Sequence, residues 1–482
     1  MHRPLHNCCF AATYLAALIL TLFTANAPRT VAFSFGGANS YYLYTFRTAD
    51  QIQVLDAMQA AGFRTLRISI AAQGENQTGS NNYGVPDVEH PVGMYDDRIL
   101  TMIDDLITRA FQRGIKLIIT LHDRYSLGCW GNNAYVDKYN IPTTNACGYG
   151  GVEDNDLNAF YNNANAAADM DRRFTHIISH RHPGFSNRPW SAIPEAILGF
   201  DIQNEGQAHQ RNGNIPNPNW ICERAKKLKP QLSSGMLVLT GAGADVWDSV
   251  LSQHFACSSI DVVCVHSYMA DDWSSKLPPV IQAAKQDGKR IIVEGFGATG
   301  WGSKAAGLQK QIDVFQNLGV PWMVWQVVKP NNYDNYEVFT DDTDSWSVLS
   351  SAARAAPGLG GAFVWPEFTG GSTKHPPPPK AAGKRPPPPK VASKRPPPPK
   401  VTSKPPPPTN NKCAKCNIPL CRGGCKCDNN CDCRPGLGGA TCDKCNLPQD
   451  QGGCVVVLPL GIRLVWVVLQ LNLGISAKQG SF

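Results

Sequence analysis

Two stretches, Ile197-Leu-Gly-Phe-Asp-Ile-Gln-Asn-Glu205 and Arg290-Ile-Ile-Val-Glu294-Gly-Phe-Gly297, decide how this chain folds. Each is an apolar run that stops at a glutamate beside a turn-forming glycine. A carboxylate is costly at the end of a buried strand unless it is paired, hydrogen-bonded or chemically employed. Glu205 and Glu294 lie 89 positions apart, so the fold has to bring them back to one place.

Working outward, similar runs recur at 31–35, 65–70, 116–121, 197–203, 236–240, 262–266, 290–293 and 322–327. Continuous apolar and β-branched runs suit strands buried on both faces. Amphipathic stretches at 50–61, 95–113 and 303–318 lie between them, and Gly62, Gly114 and Gly319 supply helix stops. Eight strand–helix units predict an α/β fold of the (β/α)8 TIM-barrel type. A doubly wound open sheet would carry a glycine-rich phosphate loop after its first strand. Here Gly36-Gly-Ala-Asn39 runs into Tyr41-Tyr42 instead.

The flanks follow different rules. Residues 1–27 read as a secretory signal: a basic start, an apolar run from Phe10 to Phe23, and a small-x-small cleavage site at Ala25-Asn-Ala27. Residues 28–370 form the predicted barrel domain. Residues 371–411 are a Lys/Pro-rich linker with four proline tetrads, expected in polyproline II as a semi-rigid spacer. The formal charge of +7 comes from here, because residues 374–408 carry nine Lys or Arg and no acid. The body has no basic surface that would select nucleic acid, while the linker could engage acidic cell-wall polymers.

Residues 412–454 hold ten of the 17 cysteines. Outside the cell this composition favours a disulfide scaffold over zinc, and the spacing resembles an epidermal-growth-factor or laminin-type repeat. Residues 455–482 are an apolar tail that reads as a poor membrane span, part of a lipid-anchor signal or a gene-model error. The expected location is therefore secreted, extracellular or cell wall, with Asn76-Gln77-Thr78 a glycosylation sequon. Five cysteines fall in the body, an odd number. Cys129 with Cys147 is expected to staple one loop and Cys222 with Cys257 a second site, leaving Cys264 free.

In a (β/α)8 barrel the active site lies at the carboxyl ends of the strands. That rule selects Arg67, His122, Asn204 with Glu205, His266 with Tyr268, Glu294 and Trp325. Each type has a task in sugar hydrolysis. Glu205 would protonate the leaving oxygen and Glu294 would attack the anomeric carbon. Asn204 could hold the sugar 2-hydroxyl, Arg67 and Tyr268 could keep Glu294 ionised, and Trp325 offers a flat floor for a pyranose. Singly, an isolated histidine is more often a satisfied core residue, Arg67 a plain ion-pair partner and Asp201 a structural acid. Together the eight would require eight coincidences at one end of one barrel.

These eight residues, in this order, are those of glycoside hydrolase family 5, which the chain resembles over residues 31–366. One departure is Gly206, where the family usually carries proline after Asn-Glu. The resemblance implies a retaining double displacement with carboxylates about 5–5.5 Å apart, and requires no metal or cofactor. Gly37-Ala-Asn-Ser-Tyr-Tyr-Leu43 and His122-Asp-Arg-Tyr-Ser-Leu-Gly128 look like segments of secreted eukaryotic endo-β-1,4-mannanases. Aromatics at Tyr125, Trp130, Tyr135, Tyr139, Trp273, Trp301, Tyr333 and Tyr336 suggest a many-subsite cleft and an endo-acting enzyme, and a monomer is expected. The predicted substrate is a β-linked polysaccharide, mannan first and β-1,4-glucan second. A catalytically inert wall-binding protein is the alternative from another class.

Overall fold

The computed structural model describes residues 32–74, 83–129, 131–143, 156–208, 214–268, 273–300, 303–328, 336–338 and 340–368, with the backbone at 426–427 and 433–434. Strands β1 (Gly36–Asn39), β2 (Thr65–Ser69), β3 (Lys116–Thr120) and β4 (Ile197–Asp201) come first. They are followed by β5 (Leu237–Leu239), β6 (Val262–His266), β7 (Arg290–Phe296) and β8 (Trp322–Val324). All eight are parallel, and β8 pairs back onto β1 to close the barrel. The principal helices are α1 (Thr48–Ala61), α2 (Arg98–Phe111), α3 (Ala164–Ser179), α4 (Trp220–Leu228), α5 (Val246–Ser249), α6 (Trp273–Gln286), α7 (Lys304–Asn317) and α8 (Thr343–Ala355).

Helix α2 shows why these segments are helical. Ile99, Leu100, Ile103, Leu106 and Ile107 recur at helical spacing and are fully buried, while Asp105 faces solvent. Each such side chain contributes about 1.5–3 kcal/mol through burial. Gly114, at φ 71°, turns the chain out of the helix toward β3.

The first strand is not where the apolar pattern put it. Residues 32–35 are not the barrel's first strand, and among the described residues their one backbone tie to it is the Phe35 carbonyl, which accepts from the Trp322 amide of β8 at 3.2 Å. Ala32 bridges Val364, and the Phe33 amide donates to the Phe363 carbonyl at 3.2 Å. The Phe35 ring meets Trp365 and Phe368 at 5.2 and 4.9 Å. The barrel takes Gly36–Asn39 instead, a strand whose first two positions lie too close to their neighbours for side chains. A Cβ on Gly37 would fall 2.1 Å from Thr65 Oγ1, and one on Gly36 would fall 2.8 Å from the Trp322 ring. The apolar pattern therefore located the end plug, and steric clearance located the strand.

Smaller shifts occur elsewhere. β7 continues through Glu294 to Phe296, so this acid lies within a strand and not at its end. Cys222 and Cys257 are disulfide-bonded with Cα atoms 5.8 Å apart, and Cys264 is free and buried. Cys129 is also disulfide-bonded, and its expected partner Cys147 lies outside the described residues. So do residues 1–27, Asn76, Trp130, Trp301, Tyr333 and the proline linker. Among the described residues no helix is long and apolar enough to cross a membrane. The chain divides into two units, Met1–Arg385 with the barrel and Pro386–Phe482, where Lys426–Cys427 pairs antiparallel with Cys433–Arg434.

Gly37→Ala is expected to destabilise the barrel by about 1–3 kcal/mol, the range for overpacking a close-packed interior. Urea unfolding measures this, and an unchanged midpoint would mean that β1 and β2 are not in this tight contact.

Candidate active site

The loop that carries Glu205 is laced to both neighbouring strands. The Asn204 amide donates to the His122 carbonyl at 2.8 Å, the Glu205 amide to Gly241 at 2.9 Å and the Gly206 amide to Ala242 at 3.1 Å. Proline has no amide hydrogen, so Gly206 provides a tie that the usual family residue could not. Glu205 itself sits at φ 46°, a left-handed conformation uncommon for residues with a side chain. Such outliers collect at functional sites, where surrounding structure holds them.

Arg67 organises the floor of the site from the middle of β2. Its Nε lies 2.7 Å from Asp201 Oδ2 and 3.2 Å from Glu294 Oε2. Nη1 donates to Asn39 Oδ1 at 3.2 Å and Nη2 to Asn204 Oδ1 at 3.1 Å. Arg67, Asp201 and Glu294 have no solvent exposure. Asn39 Nδ2 in turn donates to the backbone carbonyls of Glu294 and Val324, at 2.7 and 3.2 Å. Thr120 Oγ1 donates to Asp201 at 2.7 Å. Burial pushes the Asp201 carboxyl up to about 6, with Glu294 adding to it and Arg67 opposing. Burial pushes Glu294 up as well, but Arg67 and then His266 outweigh it and hold this carboxyl below its ordinary value. Asp201 is thus a structural partner of Arg67.

His266 connects the two glutamates. The β6–β7 register slips after Val265, so His266 lies opposite Gly295. A Cβ on Gly295 would fall 2.8 Å from the imidazole Cγ. In the space that glycine leaves, Nδ1 stands 3.0 Å from Glu205 Oε1 and Nε2 stands 3.6 Å from Glu294 Oε2. One five-membered ring therefore spans the gap between the carboxyl groups. Burial would lower the imidazole pKa, but the hydrogen bond to Glu205 and the nearby Glu294 carboxylate prevail and raise it. The second oxygen of Glu205 is in contact with the Tyr125 hydroxyl.

The remaining candidates are placed differently. His122 is buried with Nδ1 3.0 Å from Gln203 Nε2 and Nε2 2.8 Å from Asn133 Nδ2, so protein amides occupy both ring nitrogens. Burial, followed by Arg173, holds it well below the usual imidazole value and therefore neutral. Tyr268 packs edge-on against Tyr336 at 4.9 Å, and among the described residues no hydrogen bond ties it to Glu294. His266 takes the place beside Glu294 that Tyr268 was expected to fill. Trp325 is half-buried against Tyr41 at 4.9 Å, with part of its ring still accessible. Trp273 and Tyr135 are not cleft aromatics: both are buried, hydrogen-bonded to Gln311 and Glu89 respectively.

Sequence reasoning did not select Asn39 or Asp123 and took Tyr125 only for a loop aromatic. Asn39 had one visible signal, an amide closing a glycine-rich run. Among the described residues, Asp201, Cys264 and Glu294 are the one group spaced to ligate a cation. The guanidinium of Arg67 already lies against two of the three.

Arg67→Met should cost about 3–5 kcal/mol, because it strands two buried carboxylates without a countercharge. The lowered Glu294 pKa stabilises the fold above the ordinary glutamate value and ceases to do so as pH falls through the folded value. Without Arg67, burial raises both carboxyls, so the variant's stability deficit should be largest near neutral pH and shrink as pH falls and they take up protons, and the acid limb of activity should move to higher pH. Unfolding midpoints across pH 3–7 would show an unchanged limb if Arg67 were incidental. Gly295→Ala should displace the imidazole and reduce kcat by about 10²-fold with the fold retained, in line with a misplacement of order 1 Å at a catalytic centre.

A family model described as glycoside hydrolase family 5 β-mannosidase-like matches residues 45–277. The endo-β-1,4-mannanase of Thermotoga petrophila superposes with a TM-score of 0.52 at 19% identity, covering 68% of this chain and 78% of that one. The endo-1,4-β-mannanase of Rhizomucor miehei gives 0.51 at 19% identity over 67% and 95% of the two chains. A family 5 mannosidase of Rhizomucor miehei in complex with mannosyl-fructose gives 0.53 at 15% identity over 69% and 95%. No curated protein matches the sequence. The closed parallel barrel, in which His266 joins the two glutamates, thus carries over residues 45–277 a match to a glycoside hydrolase family 5 β-mannosidase-like domain.

Proposed function

We propose that the chain is a retaining endo-β-1,4-mannanase. The observation that carries the reading is the contact of one imidazole, His266, with both Glu205 and Glu294 at the carboxyl end of the barrel. Glu294 is the nucleophile: it is ionised beside Arg67, and neither of its oxygens accepts a well-aligned hydrogen bond among the described residues. Its attack on the anomeric carbon forms a covalent glycosyl-enzyme while Glu205 gives its proton to the departing oxygen. Glu205 then takes a proton from the water that attacks the same carbon and frees Glu294, so configuration is retained. Asn204 is fixed by Arg67 and by a 3.2 Å bond from its Nδ2 to Asp123, which leaves one amide hydrogen for the sugar 2-hydroxyl. Trp325 supplies a partly exposed apolar face for the ring.

Mannan as substrate is supported by the β-mannosidase-like description of the matching family model and by the names of the structures reported above. Action outside the cell is supported by the signal-like residues 1–27 and by the Cys222–Cys257 bond, since disulfides persist in oxidising compartments. In that setting residues 371–411 would act as a basic spacer toward acidic wall polymers, with 412–454 a disulfide module beyond it.

Product analysis on mannan, glucomannan, cellulose and mixed-linkage glucan tests the substrate. Internal cleavage of mannan with initial β-configured products is expected, whereas release of single mannose units would make the enzyme exo-acting. Glu205→Gln and Glu294→Gln should each lower kcat by at least about 10³-fold with circular dichroism unchanged. Full activity in either variant would refute the assignment.

A further inference from the structure

Each oxygen of the Glu205 carboxyl meets a different partner, Oε1 facing His266 and Oε2 facing the Tyr125 hydroxyl. Tyr125 reaches this position through a three-residue clamp on the loop after β3. Asp123 Oδ1 accepts from the Tyr125 amide and from Asn204 Nδ2, both at 3.2 Å. The Arg124 amide donates to the Asn204 carbonyl at 3.2 Å, and Arg124 Nε donates to Ala208 O at 2.6 Å. Residues 123, 124 and 125 are thus each fastened to the 204–208 loop. The Tyr125 ring packs on Cys129, which is disulfide-bonded, so the clamp has a covalent anchor behind it.

We propose that Tyr125 is a positioning residue for the reaction: its hydroxyl donates to Oε2 of Glu205, orients that carboxyl and favours its ionised form. The proposal rests on the reading of Glu205 as the acid and base. Burial, followed by the charge of Glu205, holds the Tyr125 hydroxyl far above its usual pKa, so it keeps its proton throughout the working range. The groups that act on Glu205 come from three sides. Tyr125 and Asp123 lie on the β3 loop, Asp248 on α5, and His266 and Tyr268 on β6 and beyond, with Glu294 across the imidazole. Asp123 and Asp248 oppose a second negative charge, and Tyr125 and His266 favour it. In the first half-reaction Glu205 must release the Tyr125 contact or turn toward the leaving oxygen. In the second it needs to be an ionised base, the state that Tyr125 supports. Tyr125 therefore sets how far the acid and base roles are balanced at a given pH.

The test is the titration of Glu205 in the full chain, followed by the carboxyl carbon signal of 13C-labelled glutamate and assigned by its loss in Glu205→Gln. Tyr125→Phe removes the donor and should raise the apparent Glu205 pKa by about one to two units, the equivalent of one hydrogen bond to a charged group. The alkaline limb of kcat/KM should move up by the same amount with KM nearly unchanged, whereas a merely structural tyrosine would alter amounts of folded enzyme and not the limb. A Glu205 titration that stays in place or moves down overturns the proposal. Unchanged signals from the other glutamates show that the variant is folded. Should it not fold, 13Cζ-tyrosine labelling of the unsubstituted protein decides: one tyrosine signal should follow the Glu205 titration and stop doing so in Glu205→Gln, and none doing so overturns the proposal. These titrations need no substrate, so a chain that cleaves no mannan would refute the functional reading while leaving this one decided.

Discussion

The site depends on a guanidinium enclosed by the barrel. Arg67 has no solvent exposure, and its donors reach Asp201, Asn39 and Asn204, with Glu294 in ion contact. Taking these ions out of water costs several kcal/mol each, and mutual attraction offsets that only when geometry is good and remaining polar atoms are bonded. That condition explains the satellites. Thr120 serves Asp201, and Asn39 serves both Arg67 and the backbone of β7 and β8. Six strands, β1 to β4 with β7 and β8, are thereby tied together by polar groups in the same place where the chemistry requires a charged pair. The arrangement contributes specificity of placement more than net stability.

Charge also separates the two glutamates by role. Glu294 is fully enclosed and carries an arginine partner, so it stays ionised against its own burial. The described partners of Glu205 are of another kind. It meets a tyrosine and a histidine, groups that tolerate either protonation state of a carboxyl. A nucleophile wants the first environment and a proton-transfer group the second. The imidazole between them means that their titrations belong to the cluster and not to either residue alone. As pH rises through the raised His266 value the imidazole loses its charge, and with it the support that it gives both carboxylates.

The loop geometry around Glu205 accounts for the glycine that follows it. The Gly206 amide is used on Ala242, Glu205 takes a left-handed backbone, and the 123–125 segment fastens the loop from the opposite side. A rigid proline is one way to set the direction of the acid. Here the same task falls to hydrogen bonds from three chain segments.

By itself the sequence determined the strand–helix alternation, the barrel class and the eight candidate residues at the strand ends, because periodicity and strand-end position are local properties. Arg67, Asn204, Glu205, His266 and Glu294 were legible in this way, and they do converge. The tertiary structure alone decided that Gly36–Asn39 and not the apolar run before it became β1, where Gly37 closes on Thr65. It also set His122 between the amides of Gln203 and Asn133, moved Trp273 into the core and brought Tyr125 onto Glu205 across 80 positions of chain. Those outcomes depend on distances between segments far apart in sequence, and no local pattern of residues encodes such a distance.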